Sequence, residues 1–227
     1  SLEVTDFNFT IDGGTATLLD GIPTSISSNN NTYFLGLSLS GLADGSEKII
    51  VSVPENSVFD SDGNTFNHSL SEDNNFIYLN DLTSPAIVIN ASDFDENSVL
   101  SGSVTNDLNL TLSFTTSEST NNFDSEDISI SGGLIDSFSG SDSIYTATLI
   151  PLADGFVSVN IAEGVFTDAA GNDNIVSSQY VWTYDSTSPL IESISLSPDN
   201  SLLTLIFSEP VYSSESENGA IEENDFS

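Results

Sequence analysis

The tail of the chain restarts its head. Residues 219–227 read Gly-Ala-Ile-Glu-Glu-Asn-Asp-Phe-Ser, and residues 1–9 read Ser-Leu-Glu-Val-Thr-Asp-Phe-Asn-Phe. Ile221, Glu222, Asp225 and Phe226 thus stand where Leu2, Glu3, Asp6 and Phe7 stood. A second echo lies inside the chain, where Val51–Asn64 is matched by Val159–Asn172, including Asp-Gly-Asn and Ala-Gly-Asn endings. Each copy leads through a strand-like run into a linker, Asp81-Leu-Thr-Ser-Pro85 and Asp185-Ser-Thr-Ser-Pro189, and the two Ser-Pro steps lie 104 residues apart. That period is too long for a solenoid and suits a row of separate small domains. The expected division is a partial domain at 1–83, a complete one at 84–186 and a second partial one at 187–227. There is no methionine, so residue 1 is not read as a translation start, and the chain is expected to be a processed product or a window from a longer array.

Helix signals are weak. Ser, Thr, Asn and β-branched residues dominate, and Gly or Asn clusters recur every 8 to 12 residues or so, the spacing of an all-β sandwich. In 84–186 seven strands can be read: A at 86–91, B at 107–114, C at 127–131, D at 134–138, E at 143–150, F at 156–161 and G at 176–184. Leu108, Leu110, Leu112 and Phe114 alternate inward on B, and Trp182 is the large anchor of G. Seven short strands in about 100 residues suit an immunoglobulin-like sandwich. The head supplies five, at 4–11, 15–19, 32–40, 47–53 and 75–80, which correspond to C through G. The tail supplies two, at 190–197 and 201–208. Leu203-Thr-Leu-Ile-Phe-Ser208 matches Leu110-Thr-Leu-Ser-Phe-Thr115 of strand B. The strands missing from the head are those present in the tail. The fold class is therefore all-β, with tandem immunoglobulin-like β-sandwich domains in an extended array.

Charge narrows the partners. The formal net charge is −34, from 35 acidic residues against a single lysine, Lys48. A phosphate backbone needs Lys and Arg to neutralise it, so the reading excludes nucleic acid and disfavours an anionic membrane surface. Disorder, the first reading for an acidic Ser- and Asn-rich chain, yields to a 37% apolar content that includes 14 Phe. No apolar run approaches the roughly 18 residues of a membrane span, so no membrane insertion is expected. Without cysteine there is no disulfide and no thiolate metal site. His68, the only histidine, has no nucleophile motif beside it and reads as an exposed, inert residue. Asn-x-Ser/Thr sequons at Asn8, Asn30, Asn67, Asn90 and Asn109 are no more frequent than this composition produces by chance.

The acids gather in loops. An alternating seven-stranded sandwich brings the B–C, D–E and F–G loops to the end where the chain enters, and the A–B, C–D and E–F loops to the end where it leaves. Asp168, Asn172 and Asp173 of the middle F–G loop then meet the incoming linker with Asp81, and the B–C loop adds Glu118, Asp124 and Glu126. Asp93, Asp95 and Glu96 lie at the leaving pole with Asp185. Asp60 and Asp62 lie in the head's F–G loop. Hard oxygen ligands converging from several loops suit calcium, which takes six to eight oxygens at about 2.3–2.6 Å. The same Asp-rich segments also read as turns, in which Asp caps and Gly or Asn takes positive φ.

Phe166-Thr-Asp-Ala-Ala-Gly-Asn172, Ile128-Ser-Ile-Ser-Gly-Gly133 and Asp185-Ser-Thr-Ser-Pro189, in that spacing, resemble the bacterial immunoglobulin-like repeats of large surface adhesins and other repetitive extracellular fibre proteins. Leu203–Val211 resembles the opening of a related repeat. The resemblance implies a β-sandwich, a spacing role, structural calcium at interdomain joints and no catalysis. The expected setting is extracellular or at the cell surface. The expected partners are neighbouring copies or domains of the same protein, head to tail, by strand complementation between the two partial domains. A carbohydrate- or surface-binding adhesin module, contacting polysaccharide, is the alternative.

Overall fold

The computed structural model describes residues 2–66 and 75–213, and the described chain is all-β. His68 and the Asn67 sequon fall outside the described residues. In the first part lie β1 (Asn8–Asp12), β2 (Thr17–Leu18), β3 (Ile26–Asn29), β4 (Thr32–Leu35), β5 (Leu39–Ser40), β6 (Lys48–Ser52) and β7 (Phe76–Tyr78). They form a three-stranded sheet in the order β1-β6-β7 and two small ladders, β2-β5 and β3-β4. The middle holds β8 (Ile87–Ser92), β9 (Ser98–Val99), β10 (Val104–Thr105), β11 (Leu110–Thr120), β12 (Ile128–Ser131), β13 (Gly133–Pro151), β14 (Gly155–Ile161) and β15 (Tyr180–Tyr184). Two four-stranded sheets result, β10-β15-β14-β12 and β13-β11-β8-β9. The tail is a hairpin of β16 (Ile191–Leu196) and β17 (Leu203–Phe207).

The middle core follows from alternation. Strand β11 turns Leu110, Leu112 and Phe114 inward, each with no exposed surface. They share one buried cluster with Val157, Val159 and Ile161 of β14 and with Trp182 of β15. Phe123, from the loop before β12, packs at angled ring-to-ring geometry with Phe114, Tyr145 and Phe138, at centroid separations of 5.6, 5.1 and 5.6 Å. The expected core role of Trp182 is borne out by its full burial.

Several expected boundaries move. Strand B begins at Leu110 rather than Asp107 and runs on to Thr120, which leaves Leu108 74% exposed. The expected D and E strands are the two arms of β13, which turns back on itself where Gly140 and Asp142 adopt positive φ. Across that turn the Ser139 and Thr146 hydroxyls meet at 3.2 Å, and the Phe138 and Tyr145 rings stack. Strand G starts only at Tyr180, because the Ser177 hydroxyl and amide are held by Ile161 instead of extending the ladder. The pairing of β10 parallel to β15 was not legible in two residues of sequence. At the head, Val4–Asp6 is a 3₁₀ turn rather than strand: Glu3 and Asp6 close a reciprocal capping box, as Asp124 and Asp127 do before β12.

The two three-strand pairings keep one register. Strand β1 meets β6 with Asn8 opposite Ser52 and Phe9 opposite Val51. Strand β12 meets β14 with Ser129 opposite Asn160 and Ile130 opposite Val159. Val51 and Val159 are the residues equated by the internal repeat, so the same paired positions recur in both places.

Candidate metal centre

Three short motifs position the acidic side chains. In the first, an Asp clamps the Asn four residues on. Asp60 accepts from the Asn64 amide and side chain, Asp93 from those of Asn97, and Asp168 from those of Asn172, all at 2.8–2.9 Å. These are Asx-type turns, and the turn reading of the Asp-rich loops holds at all three. In the second motif, the linker Asp caps its own Thr: the Thr83 amide donates to Asp81 Oδ1 at 2.9 Å, and the Thr187 amide to Asp185 Oδ1 at 3.1 Å.

The third motif was missed in the sequence. Leu-Ala-Asp-Gly occurs at 42–45 and again at 152–155, and each copy grips the linker that follows. The Leu82 amide donates to the Ala43 carbonyl at 2.8 Å. At the later copy, Asp154 accepts from the Ser186 amide and from the Ser186 and Thr187 hydroxyls. Those donors hold the Asp154 carboxyl below its usual range, the two hydroxyls contributing most. A repeated four-residue string just ahead of a strand was the signal that could have found it.

At residues 81–85 the motifs converge on one cluster. Asp81 from the linker, Glu118 from the end of β11 and Asp168 from its clamp place carboxylate oxygens within 4.8 Å of one another. Asp168 is buried, and Asp81 and Glu118 are half-buried. The Asn172 side chain ties the clamp to the linker by donating to the Asp81 carbonyl at 3.3 Å. Thr83 reaches Glu118 Oε1 at 3.3 Å, and Ser117 closes the other side by accepting from the Ala86 amide at 2.9 Å.

The electrostatics are one-sided. Burial pushes the Glu118 carboxyl up, and the charges of Asp81 and Asp168 push it further. Burial would raise Asp168 too, but the Asn172 side chain and the Asn172 and Gly171 amides outweigh it and hold that carboxyl low. Asp168 therefore stays ionised while Glu118 is loaded by like charge. Lys48, the only Lys or Arg of the chain, lies with its ammonium over the Phe76 ring, so among the described residues no Lys or Arg balances them. Three carboxylates offer three to six oxygens and no nitrogen or sulfur, the donor set of a hard divalent cation such as calcium.

Among the described residues this is the one group of three or more such ligands so close together. Of the expected ligands, Asp81, Glu118 and Asp168 are brought together. Asn172 supports them, with its amide nitrogen turned to Asp168. Asp173 is exposed, beside the group but outside it. Asp60 and Asp62 share one exposed turn, the Asp62 amide donating to Asp60. Asp93, Asp95 and Asp185 form no comparable group. Asp124 and Glu126, expected to add ligands, are engaged in the 3₁₀ cap, where the Glu126 amide donates to Asp124 at 2.7 Å.

No helix among the described residues is long and apolar enough to cross a membrane. No curated protein and no solved structure matches the chain. The family model described as a bacterial Ig-like domain matches residues 81–184, from the linker aspartate through the end of β15.

Proposed function

We propose that the chain is a structural module of an extracellular fibre, surface layer or adhesin stalk. Its immunoglobulin-like sandwiches follow one another in an extended row, and calcium pins the joint between the first two. The Asp81–Glu118–Asp168 cluster carries this reading, because it joins a linker residue to two residues of the sandwich that follows. A divalent cation there would turn mutual repulsion into a shared attraction and fix the angle of the linker. The recurring Asp-x-Thr-Ser-Pro linker and Leu-Ala-Asp-Gly grip support a joint used more than once. The full burial of Trp182 favours a spacer over a module that stacks sugars on tryptophan. The role is non-catalytic and depends on length and stiffness.

Thermal melting in about 5 mM calcium against chelator tests it, a concentration above the range of weak extracellular sites. At about ten times the dissociation constant, calcium stabilises by about 1.4 kcal/mol, a rise of roughly 5 °C or more for a domain of this size. Asp168→Asn combined with Glu118→Gln should abolish the rise. An unchanged melting curve, or a rise that survives the double variant, would overturn the calcium joint.

A further inference from the structure

Among the described residues, the tail hairpin pairs with no other strand and keeps an apolar face exposed. Register sets Leu196 opposite Leu203, Ile194 opposite Leu205 and Ile191 opposite Phe207, so all six share one face. Ile191, Ile194, Leu196 and Leu203 are each more than half exposed. The equivalent residues of the middle sandwich, Leu110, Leu112 and Phe114, are fully buried, on a strand that pairs with β8 on one side and β13 on the other.

The first part of the chain has the matching gap. In the middle, the strand after the β13 turn leads into Leu-Ala-Asp-Gly and pairs with β11, with Leu149 opposite Leu110 and Ala147 opposite Leu112. The same motif places Leu39 and Leu37 at the positions of Leu149 and Ala147. Among the described residues β5 pairs only with β2. Gly36 and Ser38 direct their backbone groups to that side, bonding Ser25, Thr24 and Leu19. Alternation turns the backbone groups of Leu37 and Leu39 toward the open edge. Leu37 is 39% exposed there, and Ile77, opposite the buried Ile49, is 67% exposed.

We propose that β16 and β17 of one copy of this chain complete the first sandwich of a second copy. Strand β17 adds along β5, with Leu203 opposite Leu39 and Leu205 opposite Leu37, and its apolar face closes over the β1-β6-β7 sheet. This rests on the reading of the chain as a row of sandwiches but not on calcium. The contact is heterologous, so each added copy leaves one open edge and one free hairpin, and growth is linear.

Sedimentation velocity of the whole chain in chelator, from about 1 to 200 μM, tests it independently of the metal. The expected result is a concentration-dependent series above the 24.0 kDa monomer. Leu205→Asp with Phe207→Asp should weaken association by about 100-fold or more, from the apolar burial lost. Trp182 fluorescence, the only tryptophan signal, reports that the middle sandwich stays folded in that variant. The native chain has no cysteine, so a Leu37→Cys copy mixed with a Leu205→Cys copy should form a disulfide-linked pair on mild oxidation. A Leu19→Cys copy mixed with the same partner is the off-register control. A mass fixed at the monomer throughout, association untouched by the aspartates, or equal cross-linking in the control would each overturn the proposal.

Discussion

Leu110-Thr-Leu-Ser-Phe and Leu203-Thr-Leu-Ile-Phe are nearly the same five residues, each paired antiparallel with an earlier strand, β8 and β16. The first turns three fully buried side chains, Leu110, Leu112 and Phe114, into the middle core. In the second, no residue of β17 is buried. The pattern makes a strand with one apolar face, and it is the neighbouring sheet that makes a core. Burial therefore belongs to the pair of sheets and not to the strand. The first part of the chain makes the converse point. Its β1-β6 ladder repeats the register of β12-β14, yet Ile77 lies open where the middle, opposite the equivalent residue of the ladder, has Trp182.

The sharpest way to break this comparison is to remove the same side chain from both strands. Phe114→Ala should cost about 3–5 kcal/mol, the range for deleting a buried aromatic. Phe207→Ala, measured on dilute monomer, should cost less than about 1 kcal/mol, because Phe207 is only half-buried. Urea unfolding followed by Trp182 fluorescence for the first, and amide exchange in β17 for the second, would read the two. Comparable losses would show that the tail already has a core.

A second comparison concerns acids. Glu47 has no exposed surface, and its carboxylate accepts from the amides of Thr15, Ala16 and Asp44 at 2.8–3.3 Å. Glu47→Ala would orphan those donors and should cost the first part of the chain about 2–3 kcal/mol. Burial alone would raise the Glu47 carboxyl, but the backbone amides outweigh it and hold it below its ordinary value of 4.5. A lowered folded value means that the stabilisation is complete above the unfolded value and is lost as pH falls through the folded one. Amide exchange at Thr15 and Ala16 should accelerate below about pH 4.5 in excess of its intrinsic pH dependence. Flat protection across that range would remove Glu47 from this role. Glu118, raised rather than lowered, should not weaken the fold on acidification.

The smallest expected effect separates two identical turns. Asp60 and Asp168 make the same clamp on Asn64 and Asn172, but Asp60 is exposed and Asp168 is 6% exposed and tied through Asn172 to the linker. Without calcium, Asp168→Ala should cost about 1–2 kcal/mol, and Asp60→Ala, at an exposed turn, clearly less. Equal shifts in thermal melting would mean that burial at the joint adds nothing to the clamp.

What was legible in the sequence was what a period reports. Alternation at 110–114, 128–130 and 157–161 gives strands and their inward faces, and the duplicated Val51 and Val159 segments give a common register. Strand ends were less legible, because hydrogen bonds to side chains decide them: Ser177 stops one strand short, and Glu3 with Asp6 winds three residues into a 3₁₀ turn. The candidate site was half legible. Asp81, Asp168 and Glu118 follow from segments meeting at one pole, although Glu118 sits on β11, which runs six residues beyond Phe114, and not in a loop. The acids that failed to join, such as Asp124 and Glu126, have backbone amides to cap in their own turns, which composition cannot distinguish from metal ligation.

Lys48 has a consequence of a different kind. It is the sole basic cleavage point for a trypsin-like protease in 227 residues, and it lies in β6, the central strand of its sheet, paired to Asp12 on one side and Tyr78 on the other. Its ammonium rests 3.7 Å from the centre of the Phe76 ring. A protease must draw several residues of extended chain into its cleft, and here they are engaged on both edges. A material built from such chains would resist that whole class of digestive enzyme in the folded state. A single cut after Lys48 would serve as a clock for the opening of that sheet.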